Sequence, residues 1–263
     1  MNTIAMEGLA PEASGRILAG GEGAVRQIYL NKADRLNALD QQMLLALEGL
    51  FEKWEAGPAA VVILASAGER AFCVGADIEV LSGLNEQSMQ AWEMLGNRVL
   101  DRIQSSPLIS IASISGHALG GGLTLAAACD FRICAETATF GQPEIDLGWI
   151  PGWGGVARLA RLTGVGRGKE LCMTGRRIAA REAEAIGLVQ QVVEPGQLAR
   201  KTAEFAERLA GKSPEALRGI KVLSDSPASG AAAHRFDALL NAALLNNERG
   251  QAAIAKFLSR KKS

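Results

Sequence analysis

Glu144 lies between Pro143 and Ile145 in the stretch FGQPEIDLGWIPGWGG (140–155), with Trp149 and Trp153 close behind it. A carboxyl in a partly dry pocket has its pKa raised toward the range where a general acid or base works near neutral pH. On an exposed loop the same residue does nothing of the kind, so its surroundings decide. Two glycine-bearing turns are candidate surroundings. In AFCVGADI (71–78), Gly75 permits a turn that leaves the next amide, that of Ala76, pointing into open space where a ligand oxygen can use it. In GHALGGGLTLAAAC (116–129), Gly120, Gly121 and Gly122 fall at the start of a short helix, whose unpaired N–H groups and positive dipole end favour negative charge. Plainer readings stand beside these: a strand-to-helix turn with Asp77 as its cap, and glycines that let a helix pack closely on a strand. The residue types therefore allow acid–base chemistry in one stretch and oxygen or anion binding in the other two. GVGRGKE (164–170) lacks the spacing of a phosphate loop, and no GxSxG elbow is present.

The elements that must position these residues are readable from periodicity. GRILAG and AVRQIYL, separated by GEG, read as a hairpin. Asp40 is placed to cap a helix through QQMLLALEGLFEKWEAG, in which Leu44, Leu45, Leu47, Leu50, Phe51 and Trp54 recur at helical spacing and Gly57-Pro58 marks the end. The strand AAVVILAS, a loop AGERAFCVGADI, a helix QSMQAWEMLGNRVLDRIQ and the strand LISIAS follow, and DFRICAE and LVQQVVE continue the alternation. That order predicts parallel pairing with right-handed crossovers. The run from Gln104 to Cys129 carries no charge, but Pro107, Ser110, Ser113, Ser115, His117 and the glycine triplet interrupt it, so it reads as a buried strand, a turn and a helix of small residues rather than a membrane span. From about Gln197 the pattern is helical only, which suggests a core over 1–196 and a helical region over 197–263, some of whose apolar faces should pack on another subunit.

Composition narrows the function classes. The chain has 263 residues, 48% hydrophobic, with 28 basic and 28 acidic side chains. That balance offers no footprint for nucleic acid. Cys73, Cys129, Cys134 and Cys172 form no CxxC pair or metal-like cluster, and they read as reduced, buried thiols of a cytoplasmic protein. The first residues, MNTIAMEGLAPEA, show no secretory signal pattern.

Taken in order, AFCVGADI, GHALGGGLTLAAACDFRICAE, FGQPEIDLGWIPGWGG and MTGRRIAAREAEAIGLVQQVV resemble the enoyl-CoA hydratase/isomerase (crotonase) family over nearly the whole chain. NKADRLNAL resembles the family's first CoA-contacting turn, with Ala33 where proline is common. The resemblance implies an α/β fold, a crotonase-like spiral of ββα turns with a C-terminal helical trimerisation region, assembled as a homotrimer or hexamer. It implies an acyl-CoA thioester as substrate, with coenzyme A part of that substrate and no permanently bound cofactor. The amides of Ala76 and Gly121 would hold the thioester oxygen as it becomes an enolate, and Ala71, Cys73, Gly75, Asp77, Ile78 and Gly120 would frame that subsite. Lys32 and Arg35 match the family's phosphate-side basic positions, and Phe257 and Arg260 match a C-terminal pair that reaches a neighbouring subunit's CoA.

One departure matters for the reaction. Typical hydratases of this family have two glutamates, of which the second matches Glu144, while the first would fall where this chain has Thr124. A hydroxyl can orient water but is not an effective base near neutral pH. Either Glu144 handles both protons of a hydration while Thr124 helps hold water, or Glu144 alone moves a double bond from C3 to C2. Asp146 is a weaker candidate for a second carboxylate, because in an extended turn it should point away from Glu144. Trp149 and Trp153 imply an altered acyl pocket, short or suited to a ring, and Met89 and Trp92 are either its wall or core. A non-catalytic acyl-CoA-binding or RNA-binding scaffold is the reading from outside the enzymes.

Overall fold

The computed structural model describes residues 8–225, 231–244, 251–252 and 259. Strands β1 (Ala10–Glu12), β2 (Ile17–Gly20) and β3 (Val25–Leu30) form an antiparallel meander, which contains the hairpin expected from GRILAG and AVRQIYL. Helix α1 (Gln41–Glu55) starts at Asp40, whose side chain accepts the Met43 N–H at 3.1 Å. Such a cap contributes about 1 kcal/mol. Leu44, Leu47, Leu50, Phe51 and Trp54 are buried as their spacing predicts, whereas Leu45 faces outward.

Beyond α1 the chain repeats a unit. β4 (Val61–Ser66) is followed by the short β5 (Ala71–Cys73), then by α2 (Ile78–Ser82) and α3 (Glu86–Ser105). β6 (Ile109–Ile114), β7 (His117–Leu119) and α4 (Gly121–Ala128) repeat that order. So do β8 (Phe131–Ala135), β9 (Thr139–Gly141), α5 (Gly155–Thr163) and α6 (Val165–Thr174). β10 (Ile178–Ala179), α7 (Ala180–Ala185) and β11 (Gln191–Val193) close the series. One sheet has the order β1-β2-β3-β4-β6-β8-β11 and is parallel from β3 onward. The other runs β10-β9-β7-β5, parallel except for β10. This alternation between two sheets is the expected spiral of ββα turns. The segment 71–78, read as loop from its pattern, contains β5, because a three-residue strand is too short for periodicity to register.

Strands β4 and β6 are buried along almost their whole length, as parallel strands covered on both faces must be. Helix α4 is buried except at its first residue. Its C-terminal end is closed by Arg132, whose guanidinium donates to the carbonyls of Ala126 (3.2 Å), Cys129 (2.7 Å) and Leu188 (2.6 Å). Burial lowers the Arg132 pKa to about 10, so the group stays cationic at the negative end of the helix dipole. The opposite end of α4 is thereby fixed where the glycine triplet lies.

After β11 the described chain is helical: α8 (Leu198–Ala210), α9 (Pro214–Asp225) and α10 (Ala231–Leu244). Two compact units are formed, Met1–Ala206 and Glu207–Ser263, with the boundary inside α8. The expected helix NERGQAAIAKFLS lies largely outside the described residues, and so do Phe257 and Arg260. The four cysteines are buried and not joined in disulfides. Among the described residues no helix is long and apolar enough to cross a membrane.

Candidate active site

Two turns meet at the N-terminus of α4. Leu39 bridges to Ala76: Leu39 N donates to Gly75 O at 2.8 Å, and Asp77 N donates to Leu39 O at 2.9 Å. This pairing turns the Ala76 N–H to the opposite side, where it has no acceptor among the described residues. Gly75 adopts φ +105°, and a Cβ on it would lie 3.0 Å from Gly121 N, so the two turns are in contact. Gly120, at φ +53°, donates its N–H to Gly141 O at 2.9 Å, which leaves Gly121 as the first residue of α4 with its own N–H unpaired among the described residues. Gly122 lies against β5, where a Cβ would come 2.1 Å from Cys73 O. The triplet thus serves both readings offered for it: Gly122 allows close packing and Gly121 presents an amide.

Those amides open on a cavity of about 720 Å³, lined by the backbone of Gly75, Ala76, Gly120 and Gly121 together with the side chains of Glu144, Trp149 and Trp153. Glu144 stands on a short 3-10 turn (Pro143–Leu147), and a Cβ on Gly120 would lie 2.8 Å from its Oε1, so the carboxylate sits over the same turn that frees Gly121. Burial pushes the Glu144 carboxyl above its ordinary pKa, a hydrogen bond with its own backbone works the other way, and the charge of Glu93 adds to the rise. These are the surroundings a general acid or base requires.

A model of the enoyl-CoA hydratase/isomerase family matches residues 20–263. The chain belongs to that family. A short-chain-enoyl-CoA hydratase of Clostridium acetobutylicum is 39% identical over 198 residues, covering 75% of this chain and 76% of that protein. A probable enoyl-CoA hydratase of Rhizobium meliloti is 36% identical over 249 residues, covering 94% and 96%. Among solved structures, an enoyl-CoA hydratase from Bacillus anthracis superposes with a TM-score of 0.90 at 35% identity, covering 93% of this chain and 96% of that one. This chain is therefore an enzyme of the hydratase/isomerase family with the crotonase fold.

Within that family frame, Thr124 is not a cavity residue. It is fully buried, and its hydroxyl is 3.3 Å from Gly120 O and 3.2 Å from the Gln142 amide. The Gln142 amide satisfies all its neighbours when its nitrogen donates to Gly120 O (3.1 Å) and Glu144 Oε2 (3.2 Å) and its oxygen accepts from Thr124 Oγ1 (3.2 Å). Thr124 therefore reaches Glu144 through Gln142, and its hydroxyl, expected to help hold water, is buried beneath the cavity surface. Asp146 lines the cavity, but its carboxylate oxygens lie beside Gly175, where a Cβ would meet both at 3.3 Å.

Trp153 is 2% exposed and adopts φ +54°, a left-handed conformation rare for a bulky residue. Its indole lies 5.4 Å from that of Trp92 and fits only because residues 96 and 121 are glycine: a Cβ would fall 2.1 Å from its Nε1 at Gly96 and 2.6 Å from its Cζ3 at Gly121. Trp92 belongs to the core, Met89 packs against it half-buried, and both line the cavity. Trp149 is partly exposed at the rim.

Lys32 is held in place. Its ammonium donates to Asp77 (2.7 Å), Asp40 (3.0 Å) and Ala38 O (3.3 Å). Burial works against the charged form, but the bonds to Asp77 and Asp40 more than offset it and keep the Lys32 pKa above its ordinary value. Those three acceptors make Lys32 a brace for the turn. Arg35 is exposed and forks onto Glu79 at 2.6 and 3.1 Å. Asp77 caps α2, Ile78 projects into the cavity, and Ala71 and Cys73 stay buried in β5 away from its lining. The Cys73 thiol is pushed up to about 12 by burial.

Besides Gln142, two residues escaped the sequence reading. Asn37 ties the first turn to β5 by donating to Ala71 O (3.0 Å) and Phe72 O (3.1 Å). Glu93, on α3, brings a further carboxylate into the cavity, beside Glu144 and Asp146. Its helix reads as amphipathic, and nothing in the local sequence says that an acid on its inner face is there for chemistry.

Proposed function

We propose that this enzyme adds water across the C2=C3 bond of a 2-enoyl-CoA, or removes it in reverse, with the thioester oxygen held between the Ala76 and Gly121 amides. Charge that develops on that oxygen as the enolate forms is met by donors already in place. In comparable oxyanion sites one such donor contributes about 3–4 kcal/mol to transition-state stabilisation. Glu144, its pKa raised by burial, exchanges the proton at C2. The observation that carries the reading is the meeting of two unpartnered amides and one desolvated carboxylate on a single cavity. Trp149 and Trp153 fit a short or cyclic acyl group. Arg35 is the cation proposed for the phosphate side of CoA. Exposed Ile220 and Val222 on α9 and Leu239 on α10 support a homotrimer or hexamer, which sedimentation velocity would test.

A second reading has its own support. With Thr124 turned away from the cavity, a single acid/base at Glu144 suits the shift of a double bond from C3 to C2, for which no water is needed. Proton NMR in heavy water separates the two. A 3-hydroxyacyl product from a 2-enoyl-CoA, lost in Glu144→Gln, supports hydration, whereas double-bond migration from a 3-enoyl-CoA without hydration makes the enzyme an isomerase.

A further inference from the structure

Hydration needs two proton movements: one leaves the attacking water and one arrives at C2. We infer that Glu93 is the second catalytic carboxylate of this site and takes the proton from water, an inference that rests on the hydration reading above.

Met89, Trp92, Glu93 and Gly96 recur at helical spacing along α3, and the first three face the cavity while Gly96 gives room to Trp153. Glu93 is the acid on an otherwise apolar inner face. The other buried or half-buried glutamates that meet α3 are paired: Glu48 with Arg98 at 2.7 Å and Glu55 with Arg102 at 2.6 Å. Glu93 has no cationic partner among the described residues, so its charge is not taken up by an ion pair as theirs are. Its Oε2 accepts the Trp153 N–H at 3.1 Å, which fixes the group, and its Oε1 has no partner among the described residues. The carboxylate lies over Gly152, where a Cβ would meet its oxygens at 2.6 and 2.7 Å. It therefore stands on the loop that leads away from Glu144, facing the same space. Its charge is also felt at Glu144, whose pKa, raised chiefly by burial, it raises further.

The division of labour follows. As the water oxygen bonds to C3, its O–H bond breaks and the proton passes to Glu93. The π pair of C2=C3 moves into the enolate, whose oxygen lies on the Ala76 and Gly121 amides. Protonated Glu144 then gives its proton to C2 and becomes the carboxylate. The proton on Glu93 and the charge on Glu144 return to their starting places by exchange with solvent water.

The test compares Glu93→Gln, Glu93→Asp and Glu144→Gln for hydration of a short 2-enoyl-CoA and for deuterium exchange at C2 of the saturated acyl-CoA. A catalytic Glu93 gives a hydration kcat about 10²–10⁴-fold lower in Glu93→Gln, with KM within a few-fold. C2 exchange, which uses Glu144 and the amides alone, then falls far less in Glu93→Gln than in Glu144→Gln. Glu93→Asp keeps more hydration than Glu93→Gln, because it keeps an acid. If Glu93 only anchors Trp153, the order reverses: Gln retains the length and the acceptor, Asp does not, and both reactions change together. That reversed order, or a wild-type rate in Glu93→Gln, overturns the inference while leaving the hydratase reading intact. Absence of hydration by the wild-type enzyme overturns both.

Discussion

The two walls of the cavity are built by different means. The amide wall is backbone, shaped by Gly75, Gly120 and Gly121, and its geometry is enforced by contacts between neighbouring turns. The carboxylate wall is side chain, assembled from α3, the turn Pro143–Leu147 and the loop around Trp153. A backbone donor cannot be removed without changing the fold, so it is a fixed electrostatic feature. A side-chain acid can be moved to another element provided that its head reaches the same space.

If that contrast is right, the largest effect should come from the carboxylate wall. Glu144→Gln keeps the shape of the group and the bond to Gln142 but removes the acid, so kcat should fall by about 10²–10⁴-fold with little change in KM. Steady-state kinetics with equal CoA-thioester affinity by calorimetry would check it, and an active variant would place the proton transfer elsewhere. On the amide wall, Gly75→Ala introduces a Cβ 3.0 Å from Gly121 N at a φ of +105°, which displaces both donors together. A loss of about 10²–10³-fold in kcat is expected, as for removal of one oxyanion donor. A wild-type rate in that variant would mean that the two turns do not hold the substrate oxygen.

The wall positions can also be tested for fit. Gly96→Ala puts a Cβ 2.1 Å from Trp153 Nε1, and overpacking of this kind costs about 1–3 kcal/mol. Thermal denaturation should show the loss, and the same substitution in a Trp153→Ala background should cost much less. Equal costs in the two backgrounds would show that the indole does not depend on Gly96.

The contrast between walls also explains what was legible in the sequence. Gly75 and the triplet announce themselves because a turn with positive φ or a close backbone approach leaves a local mark. Glu144 was legible from its flanking proline and apolar neighbours. The hairpin, α1 with its Asp40 cap and the helices after Gln197 followed from periodicity, whereas β5, β7 and β9 are each three residues long and carried no period. Glu93 and Gln142 left no mark, since one is an acid in an amphipathic helix and the other a polar residue in a loop until the fold brings them to Glu144. Thr124 is a case of the same kind: its position in the motif suggested a cavity residue, but it is fully buried and its hydroxyl donates to the Gln142 oxygen. Lys32 matched a phosphate-side basic position, and its pairing with Asp40 and Asp77 appears only once the fold brings them together.

The smallest effect expected is on stability, and it runs opposite to activity. The folded-state pKa of Glu144 lies above its unfolded value, chiefly through burial, so the folded chain binds that proton more tightly. Its contribution to stability is full below the unfolded value of about 4.3 and is lost as pH rises through the folded value. Glu144→Gln is neutral throughout and escapes that loss. In urea titrations from about pH 4 to pH 8, the variant should gain on the wild type as pH rises, because ionising a desolvated carboxylate weighs on the wild type alone. Because the charge of Glu93 contributes to the rise, the same comparison in a Glu93→Gln background should give a smaller gain. A gain of the same size in both backgrounds would mean that the two carboxylates do not sense each other, and the carboxylate wall would then be one acid and a bystander rather than a pair.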